Sequence, residues 1–250
     1  MTMDAIRTSP RKAQNRMPSR DTERPPTASA VIRQELRARI ASLEMCPGDP
    51  INEKELARQY GVSRTPVHEA VLKLAEEGLV AIFPQSGTFV ALIPYADLPE
   101  AIIIRRSLEE TSARLAAERG GAAGLAAIDR AMAVLAATCE GDPEAFHQAD
   151  EAFHAGVAQA AGYPGIWRQV QQVKVQVDRF RRLTLPQAGR FTRVVDEHGA
   201  VRDAIASRDP EEAARRMGAH VGGLLADLGD IADLNPDYFD GIGPAIRSQL

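Results

Sequence analysis

Cysteine is scarce in this sequence: Cys46 and Cys139 are the only two, and they do not form a C-x-x-C pair. This excludes a disulfide framework and a thiolate metal site, and it favours a reducing compartment. No stretch reaches ~18 consecutive apolar residues, and no apolar segment follows the basic residues near the N-terminus. We therefore expect a cytoplasmic protein with no membrane span.

Aromatic residues are also few, at 5% of the chain, whereas hydrophobic residues as a whole make up 44%. Cores built from Ala, Leu, Val and Ile are expected, which favours helices over a β-sandwich. A chain of 250 residues suggests one large domain or two ordinary ones.

The net charge of -4 argues, as an average, against a nucleic-acid partner. The charge is unevenly distributed: residues 1–95 contain 13 Lys+Arg and 11 Asp+Glu, and residues 96–250 contain 17 and 23. Residues 1–27 hold four prolines and six Lys+Arg without apolar periodicity, which predicts a flexible basic arm. The arm either helps to hold a polyanion or is an unstructured start without a role.

The next segment, residues 28–95, has the pattern of a winged helix-turn-helix. Apolar spacing and end signals predict helices over 30–44, 52–60 and 63–77, with Gly61 in the turn between the last two. Two short extended runs, 79–83 and 88–92, flank Pro84-Gln85-Ser86-Gly87 and predict a β-hairpin wing. Within the third helix, Arg64, Thr65 and His68 should face outward. Arg64 is the best candidate for reading a base, because arginine suits a bidentate contact with guanine.

The remaining chain predicts an all-α antiparallel bundle over 96–234 and a loose tail over 235–250. The protein is therefore expected to be mainly α. Apolar periodicity and turn signals indicate six helices, over 97–119, 122–139, 143–161, 164–184, 190–207 and 210–231.

Polar side chains on three of these helices are predicted to point into the bundle. Asp150 and His154 are one helical turn apart, and His198 and His220 lie on the apolar faces of their own helices. One Asp and three His suit a divalent transition metal such as zinc, nickel or manganese. His147 has the right phase to join them, although a surface position is at least as consistent with its place in the helix.

Residues 32–93 resemble the DNA-binding domain of GntR-type bacterial transcription regulators. The matching motifs are Pro47-Gly48-Asp49, Asn52-Glu53-Lys54-Glu55-Leu56-Ala57, Val62-Ser63-Arg64-Thr65-Pro66-Val67, Glu77-Gly78-Leu79-Val80 and Ser86-Gly87-Thr88-Phe89-Val90. The resemblance implies DNA contacts from Lys54, Arg64 and Thr65, with Gly87 at the tip of the wing. The family usually has Arg where this chain has His68, so a contact there is expected to be weaker or to depend on pH.

Residues 97–231 resemble the FCD ligand-binding domain of the FadR subfamily, in its six-helix VanR-like branch. The matching motifs are Arg105-Arg106-Ser107-Leu108-Glu109, Leu115-Ala116-Ala117-Glu118-Arg119, Asp150-Glu151-Ala152-Phe153-His154, Glu197-His198, Asp203-Ala204-Ile205 and Ala219-His220. The resemblance implies that Asp150, His154, His198 and His220 bind the metal and that Arg105 grips the carboxylate of an organic-acid effector. Tyr163 departs from the family, which commonly has Asn there.

Together these features predict a transcription regulator, a repressor and homodimer on operator DNA, controlled by a small carboxylate metabolite. One rival is a metal-dependent hydrolase or lyase. The sequence offers this enzyme no clear general base, because Glu151 and Glu197 should point about 100° away from the neighbouring ligands. A third interpretation keeps DNA binding and makes the metal structural, or the signal itself.

Overall fold

The computed structural model describes residues 26–138, 142–184, 189–228 and 236–241. Nearly all of the arm predicted over 1–27 lies outside these residues. The described chain opens with three helices and a hairpin. They are α1 (Ala28–Ala41), α2 (Glu53–Tyr60), α3 (Arg64–Glu76), β1 (Val80–Phe83) and β2 (Gly87–Val90).

The helix-turn-helix is formed by α2 and α3. The side chain of Asn52 caps α2 by accepting hydrogen bonds from the backbone N–H groups of Lys54 and Glu55, both at 3.1 Å. Gly61 ends α2 with φ +63°, a left-handed conformation that glycine adopts without a steric penalty. Ser63 occupies the N-cap position of α3, although its side chain makes no capping hydrogen bond.

The wing is antiparallel, with Val80 opposite Val90 and Phe83 opposite Gly87. Val80 and Val90 are buried, so the base of the hairpin is fixed to the helices while its tip projects into solvent. The buried residues of this first domain come from all three helices and the hairpin: Ile32, Leu36, Ile40, Leu56, Val67, Val71, Leu74, Leu79, Val80 and Val90.

A short strand, β3 (Ile93–Pro94), leads to the second domain, whose described part is helical. Its helices are α4 (Leu98–Arg119), α5 (Ala122–Thr138), α6 (Pro143–Ala160), α7 (Pro164–Val173), α8 (Val175–Thr184), α9 (Arg190–Ala206) and α10 (Pro210–Gly222). No helix in the described ranges has both the length and the apolar character needed to cross a membrane.

The single helix predicted over 164–184 is broken at Lys174, so α7 and α8 are separate elements. The break lets Val175 pack into the core of the first domain, while the ammonium of Lys174 pairs with Glu151 and Asp178 in the second. Local apolar spacing could not predict the break, because it depends on contacts with residues that are distant in the sequence. If α7 and α8 are taken as one bent helix, the predicted total of six is found.

The prediction of a loose tail over 235–250 is corrected for residues 236–241. Strand β4 (Phe239–Asp240) pairs in parallel with β3. Phe239 is 3% exposed and packs edge-on against Tyr95, with ring centroids 5.9 Å apart. Residues 236–241 therefore return to the segment that links the two domains.

Candidate metal centre and DNA-reading helix

The three residues predicted to face outward from α3 are all exposed: Arg64, Thr65 and His68. They lie in its first turn and a half, because Val67, Ala70, Val71 and Leu74 turn the opposite face into the core. The His68 ring places Nδ1 3.1 Å from a carboxylate oxygen of Glu53, so this side chain is held against α2. The exposed start of α3 has the form of a recognition helix.

Two further residues predicted to contact DNA, Lys54 on α2 and Gly87 on the wing, are also exposed. Gly87 has φ +123°, and a Cβ at this position would lie 3.3 Å from the Phe89 ring. Glycine is therefore required by the backbone of the wing itself, whatever the wing contacts.

Four predicted metal ligands meet in the second domain. Asp150 and His154 come from α6, His198 from α9 and His220 from α10, and each offers an atom within 4.8 Å of the other three. All four side chains are buried. Nε2 of His154 lies 3.1 Å from Nε2 of His198, close to the ~3.3 Å that separates two nitrogens on a tetrahedral zinc ion.

Carboxylates behind two of the histidines fix which ring nitrogen faces the centre. Glu109 lies against Nδ1 of His154, and Glu197 against Nδ1 of His220 at 2.7 Å. An Nδ1–H that donates to a carboxylate leaves Nε2 with its lone pair, and this arrangement supports histidine ligands in metal sites.

The ionisation states also suit a metal. Burial raises the pKa of Asp150, but the charge and the hydrogen bonds of Arg181 outweigh it and hold that pKa well below its usual range. Burial lowers the pKa of His198 and of His220 well below the usual range. A carboxylate and neutral imidazoles are the forms that bind a metal ion.

Two buried arginines flank the centre. Arg105 donates from Nε to Glu109 at 2.6 Å, and its Nη2 lies 3.4 Å from Nε2 of His154. Its Nη1 is buried with no hydrogen-bond partner among the described residues. Arg181, on α8, donates to both oxygens of Asp150, at 2.6 and 2.9 Å.

His147 does not join the four ligands. It is 4% exposed, and its Nε2 lies 3.5 Å from Glu151 in a second polar group that includes Asp178. The ammonium of Lys174 pairs with both of these carboxylates, so a cation already occupies that group.

Sequence reasoning missed the roles of Glu109, Glu197 and Arg181. Glu109 is one turn after Arg105, a spacing that could have predicted their pairing. The sequence places Glu197 about 100° away from His198 on their helix and predicts no partner for it, whereas in the structure it contacts His220 on the next helix. Arg181 carried no signal, because its contact with Asp150 spans 31 residues.

A winged helix with an exposed recognition helix, followed by a helical domain with a buried Asp/His centre, defines a DNA-binding protein with a second domain able to hold a ligand. The comparisons agree. Residues 28–90 match the family described as bacterial regulatory proteins, gntR family, and residues 100–223 match the FCD domain. The chain belongs to the GntR family of transcription regulators and carries an FCD domain.

Similar proteins support this assignment. An uncharacterized HTH-type transcriptional regulator in an unstable DNA locus of Streptomyces ambofaciens is 35% identical over 205 residues, covering 82% of this chain and 86% of the relative. The HTH-type transcriptional repressor RspR of Escherichia coli K12 is 29% identical, covering 82% and 90%. The structure of E. coli McbR/YncC shares the fold, with TM-score 0.71, 21% identity and coverage of 82% and 98%.

These findings confirm the predicted family, the mainly α fold and the DNA-binding regulatory role. They also decide against the hydrolase or lyase. The geometry is consistent with that outcome, since Glu151 is paired with Lys174 and Glu197 with His220, so neither is an available base.

Proposed function

We propose that this regulator responds to a small organic acid bound at a divalent transition metal, and that the bound acid changes its affinity for operator DNA. Asp150, His154, His198 and His220 hold the metal, and Arg105 grips the carboxylate of the acid. Zinc is favoured by the ligand set, with nickel and manganese as alternatives.

The observation that carries the proposal is the convergence of four buried ligand atoms with the unpartnered Nη1 of Arg105. A buried guanidinium N–H without an acceptor is destabilising unless a ligand supplies one. Nη2 of the same guanidinium lies 3.4 Å from Nε2 of His154, so an acceptor for Nη1 would be close to the ion. When bound, the metal supplies a Lewis acid that attracts a carboxylate.

On the DNA side, we propose that Arg64 reads a base and that Lys54, Thr65, His68 and Gly87 contact the operator. All five are exposed on the same domain. The protein acts as a repressor, as RspR is named, and as a homodimer that places two recognition helices on a palindromic site.

The test begins with selection of operator duplexes from random DNA by the purified full-length protein. Affinity for the selected duplex is then measured without metal, with zinc, and with zinc plus a panel of small mono-, di- and tricarboxylates. At least one acid should shift the affinity, and Arg105→Gln should remove that shift. The matched control is Arg106→Gln, since Arg106 is half-exposed and pairs with Glu110 on the same helix. Equal DNA affinity under all conditions would refute the coupling.

The alternative is a metal that only stabilises the bundle. In that case Asp150→Ala would unfold the second domain, and no acid would change DNA binding. Metal withdrawal that alone switches DNA binding would instead make the metal the signal.

A further inference from the structure

Helix α8 touches both the candidate metal centre and the DNA-binding domain. On one side, Arg181 donates to both carboxylate oxygens of Asp150. On the other side, Arg179 donates from Nη2 to the carbonyl of Ala91 at 2.6 Å, and Gln176 donates to the carbonyl of Gly78 at 3.0 Å. Val175, at the start of α8, is buried in the core of the first domain.

The contact of Arg179 is costly to maintain. This side chain is fully buried, and burial lowers its pKa to about 10. Among the described residues no carboxylate pairs with it; its partners are the carbonyl of Ala91 and the side-chain oxygen of Gln176. The buried charge of Arg179 depends mainly on the carbonyl of Ala91 in the other domain. A movement of α8 would therefore be transmitted to the backbone at Ala91.

Asp150 is shared between two roles. Its Oδ1 lies 3.6 Å from Nε2 of His198 and its Oδ2 4.0 Å from Nε2 of His154, so both oxygens lie near the other candidate ligands. The same two oxygens accept hydrogen bonds from the guanidinium of Arg181. A divalent ion at the centre would lie beside this guanidinium, and the two positive charges would repel each other in a buried site where screening is weak.

We propose that Arg181 is an internal counterion that competes with the metal for Asp150, and that α8 carries this exchange to the winged helix. Without metal, Arg181 holds Asp150 and α8 stays in the position seen here. Metal binding weakens the Arg181 contact, and α8 shifts together with its donors to Ala91 and Gly78. The inference rests on the proposed metal site and adds how that site is connected to DNA binding.

The break at Lys174 allows such a shift. It separates α7 from α8, so α8 is a ten-residue helix that is not a rigid continuation of the helix before it. Lys174 pairs with Asp178 on α8 and with Glu151 on α6, next to Asp150. The break and α8 are therefore joined to α6 by three ion pairs, Lys174 with Glu151, Arg181 with Asp150 and Arg182 with Glu144, and the first two lie at or next to the candidate ligand Asp150.

The first test measures zinc affinity of the EDTA-treated full-length protein by competition with a chromophoric chelator. Arg181→Gln should bind zinc about tenfold more tightly than the wild type, the scale of effects from groups around metal ligands. Arg181→Lys should show a smaller increase. The matched control Arg182→Gln alters the next residue of α8, which pairs with Glu144, and should leave affinity unchanged.

The sign of the change decides the question. If Arg181 only orients Asp150 as a ligand, both Arg181 variants will bind zinc more weakly, and equal or weaker binding overturns the proposal. Circular dichroism confirms that the variants are folded, and Arg181→Lys retains a charge should Arg181→Gln fail to fold. A wild-type protein that binds neither zinc, nickel nor manganese would instead refute the proposed function itself.

The second test uses amide hydrogen exchange of the wild type with and without zinc. Zinc should change exchange in peptides covering residues 78–93, which α8 contacts through Gly78 and Ala91. Metal-free Arg181→Gln should show the same change without zinc. A zinc effect confined to α6, α9 and α10 would show that α8 does not carry the signal.

Discussion

Replacing Glu109 by Gln tests whether the buried ion pair on α4 contributes more to stability than the exposed ion pair on the same helix. Glu109 and Arg105 form a pair one turn apart on α4, with side chains 3% and 2% exposed. Burial raises the pKa of Glu109, but its contact with His154 and the charge of Arg105 outweigh it and hold that pKa below its usual range. Glu109 is therefore ionised, and Gln at this position removes a charge that both partners contact.

The expected loss of stability in Glu109→Gln follows from the burial of the ion pair. Removing one partner of a buried ion pair destabilises a protein by about 3–5 kcal/mol, because the other charge remains buried. Gln keeps the shape and one acceptor, so we expect the lower end, about 3 kcal/mol. For a chain of this size that lowers Tm by roughly 6–12 °C. Since Glu109 also lies against Nδ1 of His154, zinc affinity should fall about 10- to 100-fold.

The neighbouring pair supplies the control. Glu110 and Arg106 have the same spacing on α4 at the same separation of 2.6 Å, but their side chains are 33% and 48% exposed. Glu110→Gln should change stability by less than about 1 kcal/mol. Urea unfolding of zinc-free protein compares the two variants, and a chelator competition gives their zinc affinities. Equal stabilities within about 1 kcal/mol would refute the assignment of Glu109 as a buried charge.

Three further predictions concern other parts of the molecule. Arg64→Ala should weaken specific DNA binding by about 1–3 kcal/mol in fluorescence anisotropy; a similar loss in Arg215→Ala, an exposed residue of the second domain paired with Glu212, would contradict base reading by Arg64. Zinc at 100 times its Kd should stabilise the EDTA-treated protein by about 2.7 kcal/mol. This gain should vanish in His198→Gln and persist in His147→Gln, and the reverse pattern would place the ion in the other polar group. Phe239→Ala should destabilise the protein by about 3 kcal/mol or more in urea unfolding, whereas Phe83→Ala, at the 54% exposed wing position, should have little effect; equal effects would mean that the docked segment does not stabilise the fold.

The features that could be predicted from sequence are those set by local chemistry. The caps and turns at Asn52 and Gly61, and the apolar spacing of α3, fix the helix-turn-helix through contacts a few residues apart. The clustering of the four candidate ligands was predictable because helical periodicity places His198 and His220 on buried faces, and these faces meet in a bundle.

The features that escaped prediction depend on distant contacts. The break at Lys174 follows from packing of Val175 in the other domain, and the docked segment at Phe239 pairs with a strand about 145 residues earlier. In the sequence, Arg181 has the pattern of an exposed charge on a helix, and only the fold places it against Asp150. The ion pairs inside the bundle could therefore not be predicted from the sequence.

The central claim is that one divalent metal lies among Asp150, His154, His198 and His220. The most direct measurement is an anomalous difference map at the zinc edge from crystals grown with zinc. We predict a single peak about 2.0–2.2 Å from one carboxylate oxygen of Asp150 and from a nitrogen of each histidine. A map without this peak, or with the peak at His147, Glu151 and Asp178, would contradict the account.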